Sequence, residues 1–277
     1  MFRGRVSRVM LVLAVLAAAL FIFVYIREKN SGTDNSPVIS FEEETLTISV
    51  SDDESVLLEG VSAYDEEDGD VTKSVVIESL SDFADDGSRT VTYAAFDEDN
   101  NVTKASRSFY YSDYTSPEII LLAELVVPVG SSINLQEYLE VQDVLDGNIT
   151  SRLQITDSEY SMYAAGDYEI TFQVTNSAGD TQEVTYTIRC TEDEEDSSGT
   201  SVVLTVYSVY IELGEEFDAG DYIKSVSGYD YYGESVTADD VTVSGEVDTD
   251  EEGVYTINYS LDVYSGSDQA YLTVIVR

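Results

Sequence analysis

One spacing recurs three times along this chain and constrains its fold more than any other feature. In the first copy, Asp65-Glu-Glu-Asp68-Gly69-Asp70-Val71-Thr72 is followed by Gly87, 16 residues after Val71, and by Tyr93 six residues later. In the second, Asp143-Val-Leu-Asp146-Gly147-Asn148-Ile149-Thr150 leads to Gly166, 17 residues after Ile149, and to Phe172 six further on. The third is altered but in register: Asp230-Tyr-Tyr-Gly233-Glu-Ser-Val236-Thr237, then Gly253 after 17 residues and Tyr259 after six. Three copies at this interval predict three small domains of one type in tandem.

Each copy reads as β. Apolar and polar residues alternate over short runs such as Leu46, Ile48, Val50; Val91, Tyr93, Ala95; Ile170, Phe172, Val174; and Leu272, Val274, Val276. A period of two buries one face of a strand and wets the other. Asp68-Gly69, Asp146-Gly147 and Asn176-Ser-Ala-Gly179 supply the turn residues between runs. The 21 tyrosines and nine phenylalanines, with no tryptophan, suit half-buried strand positions. A helical period is carried best by Leu135 to Val141, two turns at most. Short antiparallel strands in domains of this size fit two-sheet sandwiches. The expected boundaries are residues 37–111 and 117–189, an acidic linker at 190–200 that is extended and mobile, and a divergent third copy at 201–277.

Ahead of the repeats, Val9 to Ile26 is an unbroken run of 18 apolar residues. At about 1.5 Å per residue such a run approaches the thickness of a bilayer core. Arg3, Arg5 and Arg8 precede it, so residues 1–8 are expected to stay cytoplasmic while everything after a short linker at 27–36 is exported. Seven more apolar residues follow Ala17-Ala18-Ala19, where a cleaved leader would turn polar, and an uncleaved anchor is the reading.

The exported part is strongly acidic. The whole chain carries a formal charge of −42, and from Asn30 onward 8 basic and 54 acidic residues leave −46. A surface of this sign repels phosphate backbones, so no nucleic-acid partner is expected. Cys190 is the sole cysteine and there is no histidine. No intrachain disulfide, cysteine zinc site or histidine-based nucleophilic triad can be built from such a set. Carboxylate pairs of the glycosidase kind are inevitable among so many acids, but small sandwiches offer no deep cleft, and no enzyme is expected.

The motif Asp-x-x-Asp-Gly-Asp/Asn followed by a β-branched residue and threonine, then Gly166-Asp-Tyr168 or Gly253-Val-Tyr255, resembles the group 3 bacterial Ig-like repeats of Gram-positive surface proteins and some pesticidal crystal proteins. The resemblance covers residues 37–189 well and the third copy weakly. It implies an extracellular sandwich used as a spacer, stalk or adhesive module, without catalysis. Asp65, Asp68, Asp70, Asp143 and Asp146 are the candidate calcium ligands, because clustered hard oxygens are what that ion takes. The competing account is that Asp65 and Asp143 cap turn amides, and calcium is expected at most as a weak ligand. Two functions follow: a membrane-anchored, surface-displayed module binding a protein or polysaccharide, or an architectural spacer or accessory subunit of an envelope assembly. Tyr207, Tyr210, Tyr222, Tyr229, Tyr231 and Tyr232 separate the two, since an exposed tyrosine patch would favour binding.

Overall fold

The computed structural model describes residues 36–131, 134–158, 163–192 and 199–277. The proposed anchor at 9–26 lies outside them. Among the described residues no helix is long and apolar enough to cross a membrane. The chain divides into two compact units, one ending at Ser112 and one spanning Asp113–Arg277.

The first unit holds one sandwich. Strands β1 (Val38–Phe41), β3 (Val61–Asp65) and β4 (Gly69–Asp70) form one sheet; β2 (Thr45–Ile48), β5 (Val76–Leu80), β6 (Arg89–Phe96) and β7 (Val102–Tyr111) form the other, in the order β2-β7-β6-β5. The opening segment thus contributes to both layers, antiparallel to β3 in one and parallel to β7 in the other. The alternation foreseen from the sequence is realised: Val91, Tyr93 and Ala95 of β6 point inward and meet Ile39, Val61, Ala63 and Phe109.

The second unit contains two further sheet pairs. Strands β8 (Glu118–Leu121), β10 (Leu139–Asp143) and β11 (Gly147–Asn148) face β9 (Val126–Pro128), β12 (Gln154–Ser158), β13 (Gly166–Thr175) and β14 (Thr181–Thr191) across a core of Ile119, Val141, Phe172, Val184 and Tyr186. The third sandwich pairs β15 (Ser201–Leu204) with β17 (Ile223–Ser227), and sets β16 (Ser208–Ile211), β18 (Thr242–Ser244), β19 (Gly253–Val263) and β20 (Gly266–Val276) in the order β16-β20-β19-β18. The parallel pairing seen for β2 and β7 returns as β9 with β14 and β16 with β20.

Three expectations are revised. Leu135–Glu137 forms a single 3-10 turn and the chain then extends as β10, because Leu139 and Val141 bury on alternate positions. Cys190 and Thr191, assigned to a linker, continue β14 opposite Gly166 and Pro128; residues 193–198 of that linker lie outside the described set. The third copy's turn is one residue shorter: Gly233 (φ +81°) takes the left-handed place held by Gly69 (φ +77°) and Gly147 (φ +70°), three residues after its aspartate instead of four. No L-side chain adopts such a φ cheaply, so the glycine fixes the turn.

The second and third sandwiches are locked together. Strand β8 is the edge of its sheet, and its outward amides are covered from the third sandwich: Ile119 N donates to Tyr210 Oη (2.7 Å) and Leu121 N to Ser208 Oγ (2.8 Å). Tyr210 returns a hydrogen bond to the Ile119 carbonyl (3.1 Å), and burial pushes its hydroxyl up to about 12. Tyr207, Tyr210 and Ile275 pack against the second core. Beside them Arg189 of β14 binds Glu124 (2.7 Å) and Asp268 of β20 (3.0 Å).

Candidate functional site

The five candidate aspartates occupy two turns built alike. Asp65 Oδ1 accepts the amides of Glu67 (2.8 Å) and Asp68 (3.0 Å); Asp143 Oδ1 accepts those of Leu145 (3.0 Å) and Asp146 (2.7 Å). Each aspartate thereby satisfies donors that the sharp reversal denies to the ladder. Asp68 Oδ2 takes the amide of Glu98 (2.7 Å), and Asp146 Oδ2 that of Ser177 (2.7 Å). Asp70 caps the amide of Thr72 (3.0 Å), and hydrogen bonds from Thr72 hold its carboxyl below the usual range. Partial burial works against ionisation of Asp146, yet hydrogen bonds from Ser177 and Arg152 outweigh it and lower its pKa. Turn formation therefore accounts for Asp65, Asp68, Asp70, Asp143 and Asp146. Among the described residues no group of three or more acids or cysteines is placed to hold a metal.

The six tyrosines of the third copy divide. Tyr207 and Tyr210 face the second sandwich and Tyr222 joins the third core. Tyr229, Tyr231 and Tyr232 are solvent-facing, with Tyr232 85% exposed. Tyr264 of the β19–β20 turn, which the sequence reading did not connect with them, completes the group at 73% exposure. Tyr231 stands at the centre, with Tyr232 and Tyr264 each 5.4 Å away between ring centroids at interplanar angles of 88° and 87°. Edge-to-face contact is the arrangement the ring quadrupole favours.

The backbone beneath this platform is pinned. Asp230 Oδ1 accepts the amides of Tyr232 and Glu234 (both 2.8 Å), closing the turn on Gly233. Ser265 joins the two loops: its Oγ accepts from Tyr229 N (2.8 Å) and its N donates to the Tyr229 carbonyl (3.1 Å). Gly228 permits the approach, because a Cβ there would stand 3.1 Å from Ser265 Oγ and 3.3 Å from Val236 and Val263. Asp230, Glu234 and Asp262 lie within two residues of Tyr231, Tyr232 and Tyr264 in the sequence and bring only negative charge. A groove of about 530 Å³ also opens where the second and third sandwiches meet, beside Tyr114, Pro117, Tyr210, Glu252 and Arg277. Its one cation is already occupied, since Arg277 pairs with Glu118 (2.7 Å) and Glu212 (3.5 Å) and lies over the Tyr210 ring.

Comparison with known proteins places these segments. A model for the bacterial surface protein Ig-like domain matches residues 122–190, and one for the bacterial Ig-like domain (group 3) matches residues 209–276. The second match falls on the copy whose motif is most altered, where the resemblance was expected to be weak. A stretch of 156 residues is 28% identical to the pesticidal crystal protein Cry22Aa of Bacillus thuringiensis, over 54% of this chain and 20% of that protein. The chain thus spans about a fifth of the length of that relative. Among solved structures, the CBM51-2 and INT domains of Clostridium perfringens ZmpB align at 21% identity over 52% of this chain and 29% of that one, with a TM-score of 0.26. Drosophila N-cadherin EC1-3 aligns at 11% identity over 70% and 78%, also at 0.26. The chain therefore carries bacterial Ig-like domains, of the surface-protein type over residues 122–190 and of group 3 over residues 209–276.

Proposed function

We propose that this is a surface-displayed binding module: an anchor at residues 9–26 holds three tandem Ig-like sandwiches outside the cell, and the third presents the tyrosine platform to a partner. One observation carries this reading. Tyr229, Tyr231, Tyr232 and Tyr264 are all more than half exposed, and Tyr231 meets Tyr232 and Tyr264 ring to ring on a two-loop base pinned through Tyr229 and Ser265. Exposed aromatics in a cluster contribute nothing to a core, whereas rigid tyrosines recur at recognition hot spots. The acidic residues that neighbour these tyrosines in the sequence disfavour anionic partners, which leaves uncharged polysaccharide or a neutral to basic protein surface. No step of catalysis is part of this reading.

The locked joint between the second and third sandwiches favours the second reading, a spacer, because a rigid block transmits position without needing a ligand. The two separate on the whole chain displayed on cells. Adhesion to immobilised neutral glycans and extracellular matrix proteins is compared between wild type and the double variant Tyr231→Ala, Tyr232→Ala. The binding reading expects adhesion to fall at least about tenfold, the equivalent of about 1.4 kcal/mol, with the melting temperature unchanged. Equal adhesion by both assigns the chain to the spacer class.

A further inference from the structure

The joint between the second and third sandwiches shows how this chain holds an arginine. Arg277 lies over the Tyr210 ring, 5.0 Å from its centroid, while its guanidinium pairs with Glu118 (2.7 Å) and Glu212 (3.5 Å). Arg189 lies over the Tyr271 ring at 5.9 Å and pairs with Glu124 and Asp268. Tyrosine supplies a π-face and acids supply oxygens, a combination that suits a flat, weakly hydrated guanidinium better than a compact ammonium. Among the described residues, the cations found over aromatic rings are Arg89, Arg107, Arg189 and Arg277, and none is a lysine.

The tyrosine platform offers the same kinds of group with no arginine present. The described hydrogen bonds of Tyr229 and Tyr232 run through their backbones, which leaves the exposed rings uncommitted. Asp230 sits in the same turn as Tyr231 and Tyr232, and its Oδ1 alone takes the turn amides. Glu234 closes that turn through its carbonyl, which accepts from Asp230 N (2.9 Å), and its side chain is exposed. Asp262 is exposed two residues before Tyr264. Over residues 199–277, 16 acids stand against Lys224 and Arg277, and Arg277 is already engaged in the joint.

We propose that the platform takes arginine side chains from a basic polypeptide segment of its partner, each guanidinium stacking on an exposed tyrosine ring while the acids of the two loops balance its charge. This rests on the binding reading above and narrows it to a protein partner, because a neutral glycan would gain from the rings but nothing from the acids. The acidic surface draws in any cation, whereas the rings distinguish arginine from lysine.

The full-length chain is titrated calorimetrically at physiological salt with a synthetic peptide of alternating arginine and serine, with its lysine counterpart of equal charge, and with a soluble neutral glucan. Coulomb attraction treats the two peptides alike, so their ratio isolates the rings. Wild type is expected to bind the arginine peptide roughly threefold tighter than the lysine peptide. Tyr231→Ala with Tyr232→Ala, and separately Tyr264→Ala on the other loop, should erase that difference; these side chains lie outside the cores, so the fold is kept. Glu234→Gln with Asp262→Asn should weaken both peptides. Equal affinity for the two peptides in wild type, a preference that survives the tyrosine variants, or affinities indifferent to the acid variant overturns the inference. Tyrosine-dependent binding of the glucan in place of the arginine peptide also overturns it while the binding reading stands. Failure of that broader reading shows separately, as unchanged adhesion in the cell assay.

Discussion

Two arginines in this chain, Arg107 buried and Arg189 half-buried, meet their partners in opposite ways. Arg107, 3% exposed in the first sandwich, donates to Tyr93 Oη (2.9 Å) and to the carbonyls of Leu57 (2.9 Å), Glu59 (2.7 Å) and Glu43 (3.2 Å), with Phe41 and Tyr93 rings beside it. All its hydrogen-bond acceptors are neutral and belong to the same sandwich. Arg189 instead meets carboxylates from two sandwiches: Glu124 and Asp167 of its own and Asp268 of the next. Neutral acceptors make Arg107 a pH-independent tie among loops that no strand ladder joins. Carboxylates make Arg189 the centre of a joint that titrates. Burial pushes Glu124 up to about 7, the charges of Asp268 and Asp167 add to this, and Arg189 opposes it.

The largest effect should come from breaking the neutral tie. Arg107→Ala removes the donor to the Glu43 and Glu59 carbonyls and to the Tyr93 hydroxyl, leaves the Leu57 carbonyl to that hydroxyl alone, and opens a void, so a loss of about 3–5 kcal/mol is expected in the first unit. Urea denaturation of the whole chain reads it as early loss of one transition; a shift below about 1 kcal/mol would show that Arg107 is incidental.

The second effect sharpens the contrast through pH. Glu124 binds its proton more tightly folded than unfolded, so the stability this contributes is full below its ordinary pKa near 4.5 and is lost as pH rises through about 7. The second unit should therefore be more stable at pH 5 than at pH 8 by about 2 kcal/mol, after allowance for partial exposure. Glu124→Gln should remove that dependence. An unchanged pH profile in this variant would place the titration elsewhere. The smallest effect is at the edge of β8, where Tyr210→Phe removes the hydroxyl shared by the N–H and C=O of Ile119. A cost of about 1–2 kcal/mol by thermal melting is expected, confined to the second unit.

Much of this was legible in sequence, for physical reasons. Strand alternation is local, and the cores contain the residues it marked, from Val91 and Tyr93 to Leu272 and Val274. The Asp-Gly turns were legible too, because only a few residues tolerate their φ. What stayed hidden depends on contacts across many residues. A period of two shows that Tyr210 and Ser208 alternate with other positions, but not that another sandwich covers them. Tyr264 looked like an ordinary hairpin residue until the fold brought it to Tyr231.

The covering of β8 by Tyr210 and Ser208 has a consequence for self-association. An uncovered edge strand offers a row of free amides and carbonyls to any extended chain, and natural sandwiches protect such edges with charge, proline or a lid. Here the lid is the next domain, held through two side chains and flanked by Arg277 on Glu118. A segment that ended before Ser201 would expose the Ile119 and Leu121 amides as a template for strand addition by a neighbouring copy. The third sandwich thus also acts as an intramolecular guard for the second, and proteolysis in the acidic stretch between them need not open that edge while the two remain docked.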